Sequence, residues 1–236
     1  MVRAFHSKGT LVEYWTIDVA QEYWAIHSGP RGTVGEWQVQ EFLDAETAEA
    51  SAEELIAAKL RSGYVADPRH DPQAQLYLDD PEFGAHILTS HPAFNEHFAD
   101  EMYLDVVDED GPFGNTTGAD TLTALEEGYT GRNRPDAATF AEHQIREVWE
   151  MEFHDPSDAE ADLAGYRDPG GAATTDQAVI AVALGTVKIT GRLPQVLQTQ
   201  ALASLDRRLR AGTVDGDPDE AAAQMVTDLR SFPTTD

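Results

Sequence analysis

The chain has 236 residues, of which 43 are Asp or Glu and 16 are Lys or Arg, giving a formal charge of -27, and it holds no cysteine. Hydrophobic residues at 41% argue against global disorder, and the missing cysteines remove disulfides, thiolate metal sites and cysteine nucleophiles. The longest uninterrupted apolar run, Ala178 to Leu184, is too short to cross a bilayer, and His6, Ser7, Lys8 and Gly9 stand where the apolar part of a signal peptide would lie, so a cytoplasmic protein with no membrane partner is expected.

Residues 2–42 read as strands. Leu11, Trp15, Ile17 and Val19 alternate with Val12, Tyr14, Thr16 and Asp18, the period of a half-buried strand. Tyr23 to His27 is aromatic and β-compatible, Ser28 to Gly35 is dense in turn formers, and Glu36 to Phe42 is extended again. Asp44 is placed to cap a helix running to about Ser62, with Ala48, Ala52, Leu55, Ile56 and Leu60 on one face and Gly63 at its stop. The prolines at 68, 72 and 81 mark a boundary, so residues 1–66 are expected as one domain, 67–84 as a linker and 85–236 as a second domain.

The second domain reads as helical. A short helix is expected from Ala119 to about Tyr129. A longer one, from Pro135 to Phe153, would place Ala141, Ile145, Val148 and Trp149 inward. Asp176 to Ile189 is nearly all apolar; helix and buried strand compete there, and length favours helix. Pro194 suits the first turn of the next helix, whose Val196, Leu197, Ala201, Leu205 and Leu209 point inward, with Arg207, Arg208 and Arg210 complementing its C-terminal dipole before Gly212. Asp217 to Glu220 opens a last helix that buries Ala222, Met225, Val226 and Leu229. The fold class is therefore α+β: a small antiparallel sheet with one covering helix, then a mostly helical domain.

Tyr14 to Ile17, Gly29, Arg31 to Gly35 and Lys59 to Tyr64, in this order and spacing, resemble the WGR domain found in DNA-dependent poly(ADP-ribose) polymerases and several bacterial proteins. The resemblance implies a nucleic-acid-reading surface built on Trp15, Gly29, Arg31, Gly32 and Thr33. The pattern departs at its naming triplet, where Ser28-Gly29-Pro30 stands in place of Trp-Gly-Arg, which leaves the aromatic platform absent and Arg31 as a displaced substitute. Further on, His91 to Phe94, Pro112 to Leu122, Leu125 to Glu127 and Asp176 to Ala181 resemble the YfeS-like bacterial proteins across most of residues 85–210. That second resemblance implies architecture and carries no activity.

The Gly114 to Asp120 block is the first site candidate. Asn115, Thr117, Gly118 and Asp120 would form a small polar pocket at a helix N-terminus; a plainer and favoured reading makes the same block a capped loop-to-helix junction. Asp105, Asp108, Glu109 and Asp110 offer oxygen ligands for Ca²⁺ or Mg²⁺, yet Val106 and Thr117 break the EF-hand spacing. His86, His91 and His97 fit no helical i,i+4 metal pair. There is no Gly-x-Ser-x-Gly elbow, P-loop or Gly-x-Gly-x-x-Gly, and Trp15, Trp24, Trp37 and Trp149 sit on apolar faces that read as core.

Charge orders the remaining choices. Between Arg69 and Arg132 no Lys or Arg occurs while 14 Asp and Glu do, a field that repels phosphate backbones and draws cations. Residues 1–67 hold five basic and eleven acidic side chains, a net of -6. With only three lysines against thirteen arginines, solubility in a salty cytoplasm explains the acidity equally well. The expected role is a non-enzymatic interaction or regulatory protein without cofactor or bound metal, acting through protein contacts. An acidic inhibitor or immunity-type protein docking a basic partner is one form of it. Nucleic-acid binding through a degenerate WGR module and a divalent-metal enzyme built on residues 105–120 are the alternatives.

Overall fold

The computed structural model describes residues 2–8, 12–131, 134–158, 163, 165–168, 170–215 and 219–236, with the backbone alone for 213–215. Leu11, Asp217 and Pro218, which figure in the expectations above, lie outside the described residues. The chain divides into two compact units, Met1–His91 and Pro92–Asp236.

In the first unit, β1 (Arg3–His6), β2 (Glu13–Ala20), β3 (Tyr23–Pro30), β4 (Glu36–Glu41) and the two-residue β5 (Val65–Ala66) form an antiparallel sheet in the order β4-β3-β2-β1-β5. α1 (Ala45–Arg61) begins where the Asp44 carboxylate accepts from the Thr47 amide, and Gly63, at φ 96, follows its end. Its Ala52 and Ile56 pack on Phe5, Trp15, Ile17, Trp24 and Ile26 of the sheet. Leu60 departs from the expected stripe and is exposed.

The opposite face of the sheet is covered as well, which a strand reading of alternating polarity does not anticipate. Thr16, Ala25 and His27 are buried there, and Leu88 and Phe83 pack with Ala25, Val39, Trp37 and Tyr23. The covering chain is the stretch expected as the 67–84 linker, continued to His91. Tyr77 and Leu78 are buried, and the Asp80 carboxylate accepts from the Val39 amide on the outermost strand at 2.8 Å. Prolines gave this segment the composition of a linker; its aromatic and aliphatic side chains make it a strap.

The second unit contains α2 (Pro92–His97), α3 (Thr116–Thr130), α4 (Ala137–His143), α5 (Ala172–Thr190), α6 (Gln195–Asp215) and α7 (Glu220–Ser231), with a parallel pair β6 (Leu193–Pro194) and β7 (Thr234–Thr235). Every residue of α5 from Ala178 to Ile189 is buried, so the contested apolar run is a central helix. α3 starts three residues before the expected Ala119. The expected 135–153 helix is shorter: α4 passes into a π turn over Gln144–Val148, and Glu150 takes a left-handed φ of 55. That rotation leaves Val148 exposed while Ala141 and Ile145 stay inward.

α6 corrects three further expectations. Its helix continues through Gly212 to Asp215, and Val196 is exposed. Arg207 is no dipole-compensating surface cation but is fully buried: its guanidinium grips the buried Asp176 carboxylate at 2.7 and 2.9 Å and donates to the carbonyls of His154 and Asp155. Tyr166 donates to the same carboxylate at 3.0 Å. Lys188, inside the apolar α5, is likewise buried and bridges Glu126 of α3 at 3.3 Å. Removing one partner of the Arg207–Asp176 pair would strand a charge in the core.

Candidate functional site

Two glycine-rich stretches competed in the sequence, and they do different things. In the second unit, the loop before α3 closes on itself. The Asn115 side chain caps α3 by accepting from the Gly118 amide at 2.8 Å, and its amide donates back to the Gly111 carbonyl at 3.0 Å. Gly114 and Gly118 let backbone approach backbone: a Cβ at either would collide with the Asp108 or the Pro112 carbonyl. Thr117 lies in the first turn of α3, its carbonyl accepting from Thr121, and Asp120 is exposed one turn on. Asn115, Thr117, Gly118 and Asp120 are thus placed as the parts of a capped junction. Asp105 and Asp108 accept from amides two residues ahead, as turn-forming aspartates do. Among the described residues, no group of three His, Asp or Glu is placed to hold a metal ion.

The WGR-like stretch opens a recess instead. Residues from the starts of β2 and β4, the end of β3, the turn between those last two and the C-terminal end of α1 frame a concavity of about 430 Å³, lined among others by Glu13, Tyr14, Gly29, Glu36, Lys59 and Tyr64. Gly35, at φ 74, is needed twice, for its left-handed backbone and because a Cβ there would fall onto the Tyr14 hydroxyl. Gly29 lies against it, a Cβ at that position coming within 2.9 Å of Gly35 Cα. The Tyr14 hydroxyl donates to the Val34 carbonyl at 2.9 Å and lies 2.9 Å from His27 Nε2, which is itself 2.7 Å from the same carbonyl. A carbonyl oxygen at that distance fixes the hydrogen on Nε2. His27 stacks on Trp37 with centroids 4.3 Å apart and an interplanar angle of 3°.

Electrostatics of the recess follow from burial and pairing. Burial pushes the Tyr14 phenol up to about 12, and lowers His27 from its ordinary 6.5 because an imidazolium would be stripped of water there. Tyr64, which donates to Glu13 at 2.7 Å, is also held at about 12, by desolvation first and then by that carboxylate. Lys59 lies over the Tyr64 ring at 4.6 Å and the Trp15 ring at 5.4 Å, so its charge is shared with aromatic faces.

The five residues expected as a WGR-like surface separate. Trp15 is 3% exposed and belongs to the core under α1, so it is no surface residue. Gly29 lines the recess; Thr33, which also lines it, turns its hydroxyl onto the Pro30 carbonyl at 2.8 Å; Gly32, at φ 91, makes the turn. Arg31 is exposed and its guanidinium reaches Asp67 at 3.2 Å. Tyr14, Glu13, Glu36 and Gly35 also belong to the recess, beyond the residues the sequence marks as its surface. Tyr14 stood beside Trp15 in the strand, and alternation alone puts it on the other face, pointing away from the core that Trp15 fills.

Comparison with known proteins places these features. Residues 5–71 match the WGR domain family. The uncharacterized protein YfeS of Escherichia coli strain K12 is 32% identical over 228 residues, an alignment covering 94% of this chain and 93% of that one. A crystal structure of a Bacteroides fragilis protein is 26% identical with a TM-score of 0.28, covering 44% of this chain and 31% of that one. No helix among the described residues is long and apolar enough to cross a membrane.

Proposed function

This chain belongs to the family of the YfeS protein and carries a WGR domain at residues 5–71, and on that premise we propose that it is a binding protein without catalytic activity, whose WGR face takes a basic protein segment. The observation that carries the reading is the charge of the recess. Glu13 and Glu36 stand on its wall, while Arg31, the one exposed cation of the Gly-rich turn, is already answered by Asp67. A phosphate backbone needs clustered positive charge, and here the lone lining cation, Lys59, is held over two aromatic rings. Catalysis is disfavoured by the same geometry. His27 is 4% exposed, and burial holds the Tyr14 and Tyr64 phenols above their ordinary value, which speaks against an imidazole or phenolate general base in the recess.

The test pairs two probes. An arginine-rich peptide should bind the full chain with an affinity that falls steeply as salt rises, and the Glu13→Gln, Glu36→Gln double variant should bind it about tenfold more weakly. A nicked DNA duplex should give no shift even at low salt. Retention of the duplex, or a peptide affinity indifferent to the double variant, would sink the reading.

A further inference from the structure

The second unit holds a pocket of about 170 Å³ between α4, α5, α6 and the 153–157 loop. Its lining combines apolar and acidic side chains. Ala141, Val179 and Ala203 leave room that longer side chains would occupy, and Phe153 contributes a ring. Glu142 and Asp155 also line it, and no Lys or Arg does.

Several features make this a constructed cavity. The wall loop is pinned from inside the core, because the buried Arg207 guanidinium donates to the His154 and Asp155 carbonyls at 2.9 Å each while it holds Asp176. The His154 amide is fixed in addition by the Thr175 hydroxyl at 3.1 Å. Gln200 of α6 donates to the Ala138 carbonyl at 3.2 Å and ties two walls together. The loop follows the π turn and the left-handed Glu150 that end α4, and π turns are frequent beside functional sites. Asp155 Oδ1 accepts from both the Ser157 amide and hydroxyl at 2.8 Å, and those bonds hold the carboxyl below its ordinary value.

We propose that this pocket binds a small organic cation, one ring or a short alkyl body carrying an ammonium group. Its volume matches the roughly 150 Å³ cavity known to accept benzene, so a single ring fills it. Charge selects the head group. Arg207 is paired with Asp176, and Arg146, 5.8 Å from the Phe153 ring, is bonded to Glu142 at 2.9 Å; Asp155, exposed and bonded to Ser157 with the Arg207 charge nearby, is the lining carboxylate that makes no ion pair among the described residues. The site lies in the helical unit, and the inference stands or falls independently of the WGR face.

Benzylammonium is the probe, with phenylacetate as its charge-reversed counterpart, titrated into the full chain by calorimetry and by amide NMR. Benzylammonium should saturate a single site and shift amides of residues 138–157, and phenylacetate should bind at least about tenfold more weakly. Ala203→Met fills the cavity and should abolish binding; Asp155→Asn keeps the Ser157 contacts and should weaken it about fivefold. Circular dichroism establishes that each variant is folded, and the phenylacetate comparison on the wild-type chain needs no variant. Absence of saturable benzylammonium binding, equal binding of the anion, or an unchanged affinity in folded Ala203→Met would each overturn the proposal.

Discussion

The turn over 31–35 and the loop over 111–118 look alike in sequence, since both are polar stretches punctuated by glycine beside a regular element. Their glycines serve opposite ends. At Gly114 and Gly118 the missing Cβ lets the loop's own backbone fill the space, and the polar side chain of Asn115 turns inward to cap α3. At Gly35 the missing Cβ admits a side-chain hydroxyl, that of Tyr14, and the chain stands open as a recess. The atom nearest to an added Cβ is a backbone carbonyl at Gly114 and Gly118 and a side-chain hydroxyl at Gly35, where the Ser28 carbonyl comes next at 2.7 Å.

That contrast breaks most readily at the closed joint. Gly114→Ala forces a Cβ into the Asp108 carbonyl with no side chain able to yield, and should destabilise the chain by about 4 kcal/mol in urea unfolding. A loss under about 1 kcal/mol would mean that the loop relaxes freely and is no fixed junction. Gly35→Ala meets a hydroxyl that can swing away, although φ 74 and the Ser28 carbonyl at 2.7 Å remain, so about 2 kcal/mol is expected. The sharper readout there is the Tyr14 phenol, whose titration should move down from about 12 once water reaches it. An unmoved phenol would detach Gly35 from the recess.

The smallest expected effect is a pH dependence confined to the strapped sheet. His27 and His70 both have folded values below 6.5, chiefly from burial, against which Asp67 and Asp71 pull His70 upward. The unfolded chain therefore takes up protons that the folded chain resists. Their contribution is intact above about 6.5 and is lost as pH falls through the folded values beneath it. The slope should flatten in His27→Gln, measured as stability between pH 7 and 5. An unchanged slope in that variant would remove His27 from the account.

Much of the architecture could be read from the chain itself. Asp44 before an alanine-rich amphipathic stretch and Gly63 after it are local signals, and local physics decides helix ends. The length of the α5 stretch favours helix over strand. What could not be read depended on partners distant in sequence. Nothing near Arg207 indicates that Asp176, 31 residues earlier, makes it a core residue instead of a surface charge. The 67–84 stretch carries the prolines of a linker, and only the second face of the sheet, which this stretch covers, explains why Tyr77 and Leu78 are buried. For the candidate site, the motif letters Tyr14, Gly29 and Gly35 were in view, but the recess arises from their mutual approach, which spacing along the chain does not encode.

Asp80 has one more effect, felt between molecules. β4 is an outer strand of the sheet, and its opposite rim, β5, is only two residues long. By engaging the Val39 amide, Asp80 removes a hydrogen-bond donor that a stray extended segment from another chain would seek, and the exposed Glu36 and Glu41 at the two ends of that strand repel copies of themselves. The strap thereby closes one bonding position on this edge. Loss of the Asp80 carboxylate would leave the buried Val39 amide without this acceptor, so it should lower stability as well as open the strand edge to aggregation.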